Sequence, residues 1–328
     1  MSAIVIDGKR IAEKFKSVAR KNILTLRENE KLNPRLAVIV VGDDPASQVY
    51  VRQKERACKE VGLISRVIRL PETCTQSQLS YAISTQVDDW SVVGVLVQLP
   101  LPAHLDEKEA LSHIPAYKDV DGFSHVNVGR MWKGEGAKHY ACTPLGIINL
   151  FKEINIDLAG KHVVIVGRSN TVGKPLAALC LEQNATVTVC HSKTQNLKMI
   201  TQQADVLIVA VGKPHLITAD MVKPNAVVVD VGINRVPKLD ENGLETGDTK
   251  LVGDVDFDAV KEVASYITPV PGGVGPLTVA QLMVNTASAA WAQRDLLRNA
   301  KDREEAAQWV KSLSQETNTE ITVNSQIN

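Results

Sequence analysis

Two hydrophobic periods take turns along most of the chain. Short β-branched runs at residues 36–41, 63–70, 92–97, 162–166, 186–190, 206–211 and 226–231 predict strands, several of them apolar throughout. Between them lie stretches of helical period. After a short strand at Ile4, Val5 and Ile6, the residues Ile11, Phe15, Val18, Ala19, Ile23 and Leu26 share one helical face. Further helices are predicted at 46–61, ended by Gly62, and at 75–90, 142–153, 172–182, 197–203 and 277–298. Strands that alternate with helices in this way predict an α/β fold with a largely parallel sheet.

A polar, glycine-containing stretch from Lys133 to Lys138 puts a domain boundary near residue 140. The βαβ succession beyond it, to about residue 276, reads as Rossmann-like. Residues 299–328 form an appended segment: a helix over 302–313, with Asp302 and Glu305 as a capping box, and a polar tail expected to be disordered. A length of 328 residues suits two domains.

Composition narrows the partners. Lys plus Arg equals Asp plus Glu at 37 each, and aromatics are 4%, which argues against nucleic acid and against an anionic membrane surface. No signal peptide or bilayer-spanning run is readable. Five scattered cysteines without a Cys-x-x-Cys pair point to free thiols in a reducing compartment, and no Cys/His cluster has metal-ligand spacing.

The chemistry concentrates in a few segments. Gly167-Arg168-Ser169-Asn170-Thr171-Val172-Gly173 joins a strand to a helix. Gly167 permits the turn, Gly173 close helix–strand approach, and the helix start can meet a pyrophosphate. Ser169 stands where the usual dinucleotide motif has its middle glycine, so alone the segment is equally a plain strand–turn–helix. The next strand ends His191-Ser192-Lys193 with no acid to meet a ribose 2′-hydroxyl. Arg168, Ser192 and Lys193 can instead hold a 2′-phosphate, which favours NADP over NAD; the plainer alternative is that Lys193 and His191 are solvated. Tyr50 and Lys54 lie one turn apart on a helix, a pairing common by chance. Val97-Gln98-Leu99-Pro100-Leu101-Pro102 puts a glutamine at the carboxyl end of a strand, where ligands bind in open α/β sheets. Lys118-Asp119-Val120-Asp121-Gly122 sets carboxylates in a turn, and residues 268–276, Thr-Pro-Val-Pro-Gly-Gly-Val-Gly-Pro, are too rigid for a linker.

Together these segments resemble the bifunctional methylenetetrahydrofolate dehydrogenase/methenyltetrahydrofolate cyclohydrolase (FolD) family over about residues 2–297. The resemblance implies an N-terminal α/β catalytic domain (1–140, completed by the returning helix 277–298) that binds folate. It implies a Rossmann-like NADP-binding domain (141–276) and one cleft between the two that serves both reactions. It implies oxidation of 5,10-methylenetetrahydrofolate with NADP⁺ and hydrolysis of the methenyl product to 10-formyltetrahydrofolate. Catalytic roles then fall to Lys54, Tyr50, Gln98 and Asp121, and substrate binding also to Val97, Leu99, Pro271, Gly272 and Gly273. Cofactor binding falls to Gly167, Arg168, Ser169, Gly173, Ser192 and Ile233. Asp119 reads as a turn residue, and His191 and His215 as structural or solvent-facing. A cytoplasmic homodimer is implied as well. Two other outcomes are a monofunctional dehydrogenase and an inactive nucleotide-binding regulator. A short-chain dehydrogenase, which also has a Tyr-x-x-x-Lys helix, fits poorly because here the pair precedes the glycine turn by more than a hundred residues.

Overall fold

A computed structural model describes residues 2–239 and 245–299. The predicted segment 302–313 and the tail lie outside the described residues. Contacts divide the chain into two compact units. One holds Met1–Val18 and Asp121–Val284; the other holds Ala19–Val120 and the chain from Asn285.

The first unit is built on a six-stranded sheet, every pairing parallel. Its strands are β1 (Ile4–Val5), β5 (His162–Val166), β6 (Thr186–Cys190), β7 (Val206–Val209), β8 (Val227–Asp230) and β11 (Tyr266–Ile267). Their order is β1-β11-β8-β7-β5-β6. Alternate residues of β5 enter different cores. Val163 and Ile165 pack with Ile147, Phe151 and Leu176, while Val164 and Val166 pack with Leu207, Val222 and Val260. A sheet covered on both faces explains why its strands carry unbroken apolar runs. Helices α5 (His125–Trp132), α6 (Cys142–Glu153), α7 (Gly173–Glu182), α8 (Leu197–Thr201) and α9 (Phe257–Lys261) belong to this unit. An exposed antiparallel hairpin, β9 (Asn234–Leu239) with β10 (Glu245–Val252), also belongs here. Residues 121–140, placed before the boundary by the polar stretch at 133–138, go with this unit by contact. Met131 of α5 is buried with Ile147 and Leu176.

The second unit has three parallel strands in the order β3-β2-β4: β2 (Arg35–Val41), β3 (Ile64–Leu70) and β4 (Val92–Val97). Helix α2 (Pro45–Val61) starts where the Asp44 side chain accepts the Ser47 N–H, with proline in the first turn. It stops at Gly62, which is left-handed at φ 84°. Helix α3 (Gln76–Asp88) opens on a capping box of Thr75 and Gln78, and α4 (Glu107–Ser112) is capped by Asp106.

The division between units falls inside α1 (Gly8–Asn29) and inside α10 (Val274–Asn299). The later half of α10 is tied to the second unit. Asn285 Nδ2 donates to Val120 O at 2.8 Å, Gln293 Nε2 donates to Trp90 O, and Arg294 pairs with Glu30 at 3.3 Å. Helix α10 begins at Val274, three residues before the predicted start. Pro276 sits in its first turn, where a missing N–H costs nothing. On α1, Ile11, Ala19, Ile23 and Leu26 are buried as expected, but Val18 is exposed. Among the described residues no helix is long and apolar enough to cross a membrane. The five cysteines are buried and free.

Gly94 in β4 is a tight point. A Cβ there would lie 2.6 Å from a methyl of Val120. Gly94→Ala is expected to lower the unfolding free energy by about 1–3 kcal/mol, read from urea denaturation midpoints; an unchanged midpoint would contradict this packing.

Candidate active site

In the second unit, Tyr50 and Lys54 stand one turn apart on α2, both half-buried. Gln98 follows β4 directly and is buried. Its backbone N–H donates to Ile39 O at 2.8 Å, which carries the β2–β4 pairing one residue further. Its side-chain Nε2 donates to Leu99 O at 2.8 Å, which turns Oε1 the other way. That oxygen accepts from Lys54 Nζ at 3.0 Å. The lysine is thus held by a neutral acceptor. Val97 beside it is buried and Leu99 half-buried, and the Leu99–Pro100 peptide is cis. Burial raises the Tyr50 phenol above its usual pKa, so it stays protonated and can donate.

The 118–122 segment divides its labour. Lys118 is buried, and its ammonium donates to the carbonyls of Val87 and Asp89 at the end of α3. Burial lowers its pKa to about 8, against the opposing pull of Asp89 and Asp88. Lys118 is therefore an internal strut. Asp119 is buried and bridges Val95 in parallel fashion.

In the first unit, Asp121 is half-buried and accepts from Cys142 Sγ at 3.6 Å. Gly122 follows with φ 75°, where a Cβ would lie 2.4 Å from the Tyr140 carbonyl carbon. The loop after β11 is closed by Gly273 N–H donating to Pro269 O at 2.8 Å. Its Val270–Pro271 peptide is cis, and Gly272 has φ 110°. The first residue of α1 packs on this loop, since a Cβ on Gly8 would lie 1.9 Å from Gly273 O. Gly8 had no motif to mark it.

The glycine turn forms a close cradle between β5 and α7. Gly167 has φ 131°, and a Cβ there would meet Ala210 O at 2.2 Å. A Cβ on Gly173 would meet Gly167 O at 2.1 Å. Ser169 Oγ accepts from the N–H groups of Val172 at 3.1 Å and Gly173 at 3.4 Å, so this hydroxyl closes the turn. Arg168, Ser192, Lys193 and Ile233 are exposed. The loop after β6 is shaped by His191, whose N–H donates to Thr194 Oγ1 and whose Nδ1 accepts from Lys193 N–H. Backbone drawn this close to a helix start, with cations and no acid at the end of β6, fits a dinucleotide carrying an extra phosphate. Among the described residues no group of three His, Cys, Asp or Glu is arranged to hold a metal.

Two buried acids escaped the sequence reading. Asp254, fully buried, accepts through Oδ2 from Val211 N–H (2.6 Å) and Gly212 N–H (2.9 Å). Its Oδ1 accepts from Lys213 N–H and Asn234 Nδ2, both at 2.8 Å. Asp230 accepts from the N–H groups of Gly232, Asp254 and Val255 at 2.9–3.0 Å. Burial raises its pKa to about 6 against those three bonds, and the Asp254 charge adds to the rise. The available signal was an acid ending the valine run 227–229 and a second acid after Gly253. A cavity of about 530 Å³ lies elsewhere, at the amino ends of β5, β7 and β8, where Lys223 pairs with Asp205.

A parallel sheet headed by a glycine cradle is a dinucleotide-binding unit, and here it accompanies an α/β unit with a lysine held by glutamine. The chain belongs to the tetrahydrofolate dehydrogenase/cyclohydrolase family: the family's catalytic domain matches residues 6–121 and its NAD(P)-binding domain residues 141–294. The Bifunctional protein FolD of Exiguobacterium sibiricum is 55% identical over 288 residues, 88% of this chain and 99% of that protein. That of Bacillus anthracis is 52% identical over 290 residues, 88% of this chain and 97% of that protein. The solved FolD methylenetetrahydrofolate dehydrogenase/cyclohydrolase of Campylobacter jejuni is 47% identical, with TM-score 0.83 over 89% of this chain and 99% of that one. The Trypanosoma brucei enzyme, solved with NADP and an inhibitor, is 35% identical, with TM-score 0.84 over 89% and 98%.

Proposed function

We propose that the protein oxidises 5,10-methylenetetrahydrofolate with NADP⁺ and hydrolyses the resulting 5,10-methenyltetrahydrofolate to 10-formyltetrahydrofolate. The hydrogen bond from Lys54 to Gln98, in a chain of this family, carries the reading. NADP⁺, when bound, takes the hydride. The protein's share of that step is orientation. Gly167, Arg168, Ser169, Gly173, Ser192 and Ile233 are the residues proposed to hold the cofactor, with Arg168 and Lys193 meeting the 2′-phosphate. Tyr50, Val97, Leu99, Asp121, Pro271, Gly272 and Gly273 are proposed to hold the folate, Asp121 by accepting from the donor-rich pterin edge.

Hydrolysis needs more from the side chains. Water adds to the cationic methenyl carbon, a C–O bond forms, a C–N bond breaks, and one proton is released. Lys54 is the group proposed to handle that proton. A neutral partner supports this role, because a carboxylate at Gln98 would fix lysine as ammonium. The same pair favours the bifunctional enzyme over a dehydrogenase alone. Tyr50, kept protonated by burial, can hydrogen-bond the substrate or the lysine. We further propose a homodimer in the cytoplasm, on family resemblance. The domain assignment proposed from sequence, folate with 1–140 and 277–298 and NADP with 141–276, goes with this reading.

Lys54→Met is expected to reduce cofactor-free hydrolysis of methenyltetrahydrofolate by more than about a hundredfold, with NADP⁺ affinity retained; equal hydrolysis rates would remove Lys54 from the mechanism. Arg168→Ala is expected to raise the KM for NADP⁺ by about tenfold or more relative to that for NAD⁺. An unchanged ratio would take Arg168 out of the 2′-phosphate site.

A further inference from the structure

Asp254 lies far along the chain from the glycine cradle, yet it holds the backbone that borders it. The carboxyl ends of β5 and β7 are neighbours in the sheet. Ala210, just after β7, donates its N–H to Val166 O at 2.8 Å, and its carbonyl lies 2.2 Å from where a Cβ on Gly167 would stand. The next three residues, Val211, Gly212 and Lys213, all give their N–H groups to the Asp254 carboxylate. Its remaining donor, Asn234 Nδ2, belongs to the residue after the exposed Ile233. One carboxylate thus gathers the loops after β7 and β8 and fixes both against the cradle's flank.

The surrounding backbone is built to admit it. A Cβ on Gly232 would lie 2.2 Å from Asp254 Cγ, and one on Gly253 would lie 1.8 Å from Asp230 Oδ2. Asp230 takes the backbone N–H groups of Asp254 and Val255, and so sets the approach of Asp254 to the loops. Four donors on four lone-pair sites is a demand only an ionised carboxylate meets in full; an amide of the same shape accepts at one end alone.

Building on the function proposed above, we propose that Asp254 is a positioning residue for the NADP site. It shapes the 211–213 and 233–234 loops before the cofactor arrives, and Asp230 supports it. It does not touch the reacting atoms.

Asp254→Asn sets an NH₂ group against the donors at one end of the side chain, either Val211 and Gly212 or Lys213 and Asn234. At least one of the 211–213 amides should then exchange with solvent about tenfold faster or more in the ligand-free protein. Calorimetric titration with NADP⁺ should show about tenfold weaker binding, and the KM for NADP⁺ should rise with it while the KM for methylenetetrahydrofolate stays within about twofold. Asn234→Ala removes one donor of the four and should weaken NADP⁺ binding less than Asp254→Asn does. Faster exchange with NADP⁺ affinity unchanged would overturn the proposal. So would equal rises in both KM values together with a lower melting temperature, the mark of a merely structural residue. If Asp254→Asn does not fold, unchanged NADP⁺ affinity in Asn234→Ala overturns the proposal, and weakened affinity supports it. A wild-type protein that binds NADP⁺ but oxidises no methylenetetrahydrofolate would count against the enzymatic reading alone, since the titration needs no turnover.

Discussion

The proton role proposed for Lys54 would be hindered by a carboxylate partner, which would stabilise the ammonium form. The Lys54–Gln98 hydrogen bond meets that constraint with a neutral partner, and the local fold serves it. The amide has a single orientation available, because its nitrogen is committed to Leu99 O. Its height is set by the strand, because its N–H continues the pairing of β4 with β2. The lysine's height is set by α2, which is capped at Asp44 and ended at Gly62. Lys118, by contrast, spends its ammonium on two backbone carbonyls and is the strut beneath α3. Both lysines have neutral acceptors; they differ in burial and hold, Lys118 buried on two backbone carbonyls and Lys54 half-buried on the Gln98 amide.

The other unit meets a different constraint, close approach of backbone to backbone. Gly8, Gly167, Gly173, Gly232 and Gly253 each occupy a point where a Cβ would fall within about 2.2 Å of another atom. All these contacts but that of Gly8, which seats α1 on the loop after β11, draw together the loops at the carboxyl ends of β5, β7 and β8. They also leave backbone N–H groups that need acceptors. Ser169 supplies one for the cradle, and Asp230 and Asp254 supply them for the neighbouring loops.

Much of this was legible in the sequence, for identifiable reasons. Strands buried on both faces, such as β2, β4 and β5, appear as unbroken apolar runs, and α2 carries its own stop at Gly62. Lys54, Gln98 and Gly167 stood in recognisable segments. The start of α10 was misplaced because Gly275 and Pro276 read as breakers, although a first turn tolerates both. Helix α5 has only eight residues, and the exposed β10 of the hairpin leaves no apolar period to read. Asp254, marked only by its place after Gly253, and Gly8 were hard to read for another reason. Each acts on residues far off in sequence, Asp254 on Val211 and Gly8 on Gly273, and no local spacing encodes such a meeting.

The claim that a neutral partner keeps Lys54 able to exchange its proton is tested most directly by a pH profile. The measurement is the enzymatic rate of methenyltetrahydrofolate hydrolysis, corrected for the spontaneous reaction, in the wild type and in Gln98→Glu. A carboxylate in place of the amide should stabilise the ammonium form, so the activity of Gln98→Glu should fall and its rising limb should move to higher pH by about one unit or more. A Gln98→Glu enzyme with the wild-type rate and an unshifted profile would contradict the account.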